Sequence, residues 1–90
     1  MTANKMTEKI SISFSQFQRE LILKYGYPWE EIQKQLKRAR NNKNDITITS
    51  AYFEWEHLAG DLSRSINHDE VPSKFIEEVD ELADIVENYL

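Results

Sequence analysis

Apolar residues recur with helical spacing over most of this chain. In the stretch "SFSQFQRELILKYG", an aromatic or aliphatic residue returns every three or four positions. Ser13, followed three residues later by Gln16, has the pattern of a capping box, and Gly26 is typical of the residue just beyond a helix end. The spacing predicts a helix over residues 13–25. Its apolar positions are Phe14, Phe17, Leu21 and Tyr25.

A proline opens the second helical segment. Pro28 suits the first position of a helix because its missing N–H would have no partner there. Apolar residues then recur at helical spacing and predict a helix over residues 28–40, with Trp29 in the buried stripe.

The pattern changes in the middle of "NDITITSAYFEWEHLAG", residues 44–60. The first half alternates Ile with Thr, as strands do, whereas the second half has helical spacing. We expect a helix over residues 50–66, with Thr49 as its N-cap and Gly60 at a close approach of another helix. Ser73 can cap a last helix that continues to Leu90.

Two segments that precede predicted helices leave an alternative open. "ISIS" and "ITIT" are offset by 36 residues and alternate isoleucine with a hydroxyl residue. They could pair as strands, but an isolated two-stranded ribbon is marginally stable, so extended connectors are favoured. We therefore predict an all-α four-helix bundle of two antiparallel helical hairpins, with short extended or β lead-ins near residues 9–13 and 45–49. Residues 1–8 are expected to form a flexible tail, and residues 9–90 one domain.

Charge is distributed unevenly along the chain, whose net charge is −5. Residues 1–45 contain nine Lys or Arg and five Asp or Glu, and residues 46–90 contain two and eleven. Such asymmetry indicates either a charged partner or two halves that attract each other. In the second case, Lys34, Lys37 and Arg38 would lie beside the acidic last helix.

The composition excludes several kinds of chemistry. There is no cysteine, so a disulfide, a zinc–thiolate site and a thiol nucleophile are all excluded. Glu54 and His57 are helix neighbours, but the other histidine, His68, is eleven residues away, and a zinc site needs three or four ligands. We expect no enzyme activity, metal or cofactor. With no apolar membrane span and no secretory signal pattern, we expect a cytoplasmic protein.

In size, helical content, lack of cysteine and acidic second half, residues 13–90 resemble the small all-α bacterial immunity proteins that neutralise colicin-type and polymorphic nuclease toxins. The resemblance implies an inhibitor whose carboxylates cover a basic nuclease active site. Aromatic anchors ringed by carboxylates are also what a site for a basic protein partner would use. The residues predicted to bind such a partner are Tyr52, Glu54, Glu56, Asp61, Asp69 and Glu70.

The alternative function is that of a small nucleic-acid-associated regulator. The second predicted helix ends in a basic run that could follow phosphates. An overall isoelectric point near 5.0 argues against it. A homodimer is left open. The basic residues concerned are Lys34, Lys37, Arg38, Arg40 and Lys43.

Overall fold

The computed structural model describes residues 5–90, which combine four α-helices with a two-stranded antiparallel sheet. The prediction of an all-α four-helix bundle is therefore wrong, because the two segments expected as connectors are paired strands. The elements are β1 (Lys9–Phe14), α1 (Gln16–Tyr25), α2 (Glu30–Arg38), β2 (Ile46–Ala51), α3 (Tyr52–Asn67) and α4 (Ile76–Asn88), with short 3-10 turns at Lys5–Thr7 and Ser73–Phe75.

The sheet forms because each strand has one apolar face and one hydroxyl face. The register places Ile12 opposite Ile48, and both side chains are buried beneath the sheet. On the outer face, Ser11 Oγ lies 2.7 Å from Thr49 Oγ1. The helices packed on the inner face bury the apolar side of the ribbon. The two strands are therefore stable together, although an isolated ribbon would be marginal.

Helix α3 packs against α4, α1, β2 and the Lys5–Thr7 turn. Its Trp55 is fully buried, with its ring centroid 5.9 Å from that of Phe14. The indole N–H donates to the carbonyl oxygen of Ile10 at 2.9 Å. Helix α4 packs along α3 and α1, whereas α2 packs on β2 and α1. Trp55 therefore connects the sheet to the helical layer by both packing and a hydrogen bond.

Helix α1 begins later than the capping pattern predicted. Ser15, not Ser13, is the N-cap: its hydroxyl accepts from Gln18 N at 3.2 Å, and Gln18 Oε1 accepts from Ser15 N at 2.8 Å. Ser13 belongs to β1, so the next available hydroxyl takes the capping position. The capping box is therefore present but begins two residues later, because Ser13 lies in the paired strand.

Strand β2 displaces the start of α3 in the same way. Thr49, expected as the N-cap, lies within β2, and Ala51 occupies the cap position without a side-chain hydrogen bond. The last helix begins at Ile76, after the short turn that starts at Ser73. The flexible tail expected over residues 1–8 falls partly outside the described residues, and Lys5–Thr7 forms a turn beside α3.

A buried arginine organises the loop between α2 and β2. Arg19 is 1% exposed, and its two terminal nitrogens donate to four backbone carbonyls. A buried guanidinium is tolerated only where most of its donors find acceptors; backbone carbonyls serve both terminal nitrogens here, whereas the buried Nε has no partner. The arginine thereby joins the end of β1 to the 39–44 loop. The acceptors are the carbonyl oxygens of Phe14, Ala39, Asn42 and Asn44.

The basic helix and the acidic helix are not packed as the charge asymmetry suggested. Helix α4 packs on α3 and α1, and α2 is not among its main contacts. Within residues 5–90, no ion pair joins Lys34, Lys37 or Arg38 to α4. The cations of α2 are therefore free to face solvent or a partner. No helix in the described part of the chain is long and apolar enough to cross a membrane.

Candidate functional site

The turn that connects α1 to α2 packs closely against α3. A Cβ atom at Gly26 would lie 2.6 Å from Leu58 Cδ1 and 2.8 Å from the carbonyl oxygen of Ile22, so only glycine fits. Ser65 Oγ donates to the carbonyl oxygen of Tyr25 at 2.6 Å. Gly26 follows the end of α1 as its spacing predicted, but its φ angle is −96°, so glycine is needed here for space and not for a left-handed conformation.

Backbone strain lies at the next residue. Tyr27 has a φ of 48°, a left-handed conformation that is uncommon and costly for a bulky residue. Its hydroxyl donates to Glu70 Oε1 at 2.7 Å, next to Asp69, whose φ is 58°. The hydrogen bond to Glu70, with the charge of that carboxylate, raises the pKa of Tyr27 above its ordinary value. The hydrogen bond between Tyr27 and Glu70 thus joins two turns, each of which contains a residue in the left-handed conformation.

Trp29 lies at an open groove on the outer face of α3. Its ring centroid is 4.3 Å from that of His57 and 5.7 Å from that of Phe53, yet its side chain remains 43% exposed. The groove has a volume of about 360 Å³. We call it the aromatic groove, and its lining includes Met6, Trp29, Phe53, Glu56, His57 and Gly60.

Gly60 contributes to the open space of this groove. No heavy atom outside the local backbone lies within 4 Å of a Cβ built at this position. The expected close approach of another helix at Gly60 is therefore wrong. Phe53, His57, Gly60 and Arg64 recur at helical spacing on the face of α3 opposite the core. One side of α3 thus packs into the molecule, and the other forms the groove.

Charges in the groove are only partly balanced. Asp61, which is 4% exposed, has Oδ1 2.9 Å from Arg64 Nη1 and Oδ2 3.5 Å from His57 Nε2. The cation of Arg64 is therefore matched by a neighbouring carboxylate. Glu56 is exposed and forms no ion pair within residues 5–90. An exposed indole next to an unmatched carboxylate suits a cationic side chain.

The predicted partner-binding residues do not all lie in this groove. Glu56 lines it, whereas Glu70 accepts a hydrogen bond from Tyr27 and is not among the lining residues. Asp69 is exposed in the neighbouring left-handed turn. Asp61 is buried and paired, so it orients its neighbours rather than presenting a free carboxylate.

The other two predicted residues, Tyr52 and Glu54, point away from each other. They are two positions apart on α3, which places them about 200° apart around the helix axis. Both are half-buried, and Glu54 Oε2 accepts from Ser50 Oγ at 2.6 Å. Tyr52 and Glu56, four positions apart, therefore share one side of α3, whereas Glu54 lies on the other side and does not form one surface with them.

Sequence reasoning misplaced Trp29, the exposed tryptophan of the groove. Trp29 was assigned to the buried stripe of a helix predicted to begin at residue 28. Helix α2 begins at Glu30, the residue after Trp29, so the indole lies outside that stripe. Phe53, His57 and Gly60 gave a usable signal, since their spacing marks one helix face. That signal did not show that the turn before α2 would lie against the same face.

Exposed cations form a second charged surface, on α2 and the loop after it. Arg40 Nε lies 3.6 Å from Glu20 Oε1, and both side chains are exposed. The remaining cations form no ion pair within residues 5–90. They are Lys34, Lys37, Arg38 and Lys43.

No group of three or more His, Cys, Asp or Glu side chains is placed to hold a metal ion in the described part of the chain. Comparison with protein-family models finds no match, and comparison with curated proteins and with solved structures finds no significant similarity. The resemblance to immunity proteins stays an expectation from general character, and the all-α fold that it implied differs from the helices and sheet seen here. Function has to be inferred from the chain's own residues.

Proposed function

We propose that this chain is a small protein-binding module, of the inhibitor or immunity type, that engages a basic protein partner such as a nuclease toxin. The observation that carries the proposal is the exposed indole of Trp29 in one groove with the unpaired carboxylate of Glu56. A Lys or Arg side chain entering the groove would meet an aromatic face and a negative charge together. Tryptophan is also among the residues that most often dominate binding energy at protein interfaces.

The surrounding charge supports a basic partner. The half of the chain that contains α3 and α4 has eleven Asp or Glu and two Lys or Arg. One of those two cations, Arg64, is already paired with Asp61. Long-range attraction of this kind raises the association rate with a positively charged protein and weakens as salt screens it.

An oligo-arginine peptide is the probe that tests the groove, with an oligo-glutamate peptide as the matched negative probe. Binding is followed by the chemical shift of the Trp29 indole N–H. We expect Trp29→Ala to weaken oligo-arginine binding about 30-fold, the size of an interface hot spot, with the residual affinity measured by calorimetry. Tyr89→Ala is the control, because Tyr89 is 53% exposed and is not among the groove-lining residues.

Two results would contradict this function. Binding of oligo-arginine that is unchanged in Trp29→Ala would remove the groove from the site. Equal binding of oligo-glutamate would remove the preference for a basic partner. Inhibition by this chain of a basic nuclease encoded beside its gene, lost in Trp29→Ala, would identify the partner class directly.

The alternative function is a nucleic-acid-associated regulator that uses the exposed cations of α2 and its following loop. The specific observation in its favour is that Lys34, Lys37, Arg38 and Lys43 have no intramolecular ion pair among residues 5–90. A salt titration against duplex DNA tests it. Affinity that falls steeply with salt, and disappears when Lys37 and Arg38 are changed to Gln, would favour the regulator over the protein-binding module.

A further inference from the structure

The two outer edges of the sheet differ. On the edge of β2, Gln35 Nε2 donates to the carbonyl oxygen of Thr49 at 2.7 Å, and Gln35 Oε1 accepts from Thr49 N at 3.0 Å. In the described part of the chain the sheet contains two strands, so the outer edge of β1 pairs with no other strand. One edge is therefore covered by a side-chain amide, and the other presents its backbone.

The register identifies which backbone groups face outward from β1. Tyr52 N donates to the carbonyl oxygen of Glu8 at 2.8 Å, which marks these two residues as a hydrogen-bonded pair just beyond Lys9 and Ala51. Opposite residues in an antiparallel ladder alternate between bonded and non-bonded pairs. The N–H and C=O of Ser11 therefore point away from β2. Thr49, opposite Ser11, bonds Gln35 for the same reason.

We propose that the open edge of β1 pairs with the same edge of a second copy of this chain, in antiparallel orientation about a two-fold axis at Ser11. Ser11 then faces Ser11 of the second copy, and Lys9 faces Ser13. Lys9 is the one charged residue of β1, and this register does not place it opposite its own copy. Backbone hydrogen bonds between the two copies then set the usual strand spacing of about 4.8 Å.

A second copy fits this edge because both faces of the sheet continue across it. On the inner face, half-buried Ile10 of one copy lies opposite buried Ile12 of the other, so the apolar surface extends without interruption. On the outer face, Ser13 Oγ lies 2.7 Å from Thr47 Oγ1 within one copy. The row of hydroxyl side chains on this face then continues into the second copy. Two strands make a marginal sheet, and four bring it to the usual size.

The edge also has few of the features that keep a strand unpaired. Strand β1 contains no proline and no charged side chain on its inner face. Natural edge strands use such features to prevent pairing with another chain, and Lys9 is the single one present here. A self-complementary edge about a two-fold axis is the typical geometry of a closed homodimer.

Sedimentation equilibrium of the full chain tests the dimer. Ser11→Pro removes the outward N–H and the hydroxyl contact with Thr49 but no backbone bond to β2, and proline is tolerated on an edge strand. Ser11→Ala is the matched control, because it removes the hydroxyl and keeps the N–H. We expect the unmodified chain and Ser11→Ala to form a dimer and Ser11→Pro to be a monomer, with the same far-UV circular dichroism in all three.

Hydrogen exchange of the unmodified chain gives a second test that needs no variant. The amides of Ser11 and Ser13 should be protected at high protein concentration and should lose that protection on dilution, whereas Ile12, bonded to β2, should not change. A chain that is monomeric at every concentration overturns the proposal. A dimer that persists in folded Ser11→Pro, or that captures an extended foreign peptide at β1 in preference to its own copy, overturns it as well.

Discussion

The backbone of Gly26 lies against the side chain of Leu58 with no room for a Cβ atom between them. A Cβ there would be 2.6 Å from Leu58 Cδ1, which is inside van der Waals contact. Gly26→Ala should therefore push the 26–29 turn away from α3 and lower the free energy of unfolding by about 1–3 kcal/mol, as overpacked sites do. Urea unfolding measures the change. Unaltered stability would mean that the turn does not depend on this close approach.

The other glycine should respond in the opposite direction. A Cβ at Gly60 meets no heavy atom within 4 Å, and the position lies inside α3. Gly60→Ala should raise the free energy of unfolding by up to about 1 kcal/mol, because alanine loses less backbone entropy in a helix. The same methyl group narrows the aromatic groove, so oligo-arginine binding should weaken while stability rises. Stronger binding by the stabilised variant would count against the groove as the site.

The guanidinium of Arg19 is expected to be the most sensitive polar group of the described chain. Its terminal nitrogens serve four carbonyl oxygens, which a lysine ammonium cannot reach together. Arg19→Lys should lower the free energy of unfolding by about 3 kcal/mol, since a buried polar group left unpaired costs about 1–3 kcal/mol and the bond to Phe14 is buried, while the other three are partly buried. Arg40→Lys, at an exposed ion pair with Glu20, is the control and should change stability by less than about 1 kcal/mol. Similar losses in both variants would refute the role of Arg19.

Removing the Gln35 side-chain amide, which covers the outer edge of β2, should have a local effect on the exchange of the Thr49 amide. Gln35→Ala deletes both hydrogen bonds to Thr49 and should cost about 1 kcal/mol, because these bonds are solvent-exposed. Hydrogen exchange of the Thr49 amide should accelerate by the corresponding factor of about five. Gln33→Ala on the same helix is the control. If Thr49 exchange is the same in both variants, Gln35 does not protect the edge.

Tyr27 should titrate above the ordinary tyrosine pKa of about 10. The difference in tyrosinate absorbance between the unmodified chain and Tyr27→Phe isolates its titration. Because the folded pKa lies above the unfolded one, the contribution to stability is present below about pH 10 and is lost as pH rises through the folded pKa. Glu70→Ala should return the midpoint toward the ordinary value. A midpoint that Glu70→Ala leaves in place would exclude the hydrogen bond as the cause.

Local sequence patterns predicted some residues of the candidate site and misplaced others. Glu56 and the acidic character of α3 were read from the sequence, and Glu56 does line the aromatic groove. Trp29, however, looked like a core residue, because its spacing continued the apolar stripe of the second helix. Its exposure depends on where α2 begins and on how the strained turn at Tyr27 aims the chain. Neither is encoded in the local spacing of apolar residues.

The sequence by itself determined the approximate positions of four helices, the change from alternating to helical spacing before α3, and the alternation of "ISIS" and "ITIT". These are periodic features, and they depend on residues close together in the chain. Only the tertiary structure decided that the two alternating segments pair, because helices bury one face of a ribbon that would be marginal alone. It also decided that Arg19 would be buried, since its four carbonyl partners come from a strand end and a loop up to 25 residues away. Spacing along the chain cannot report partners that are brought together only when the elements pack.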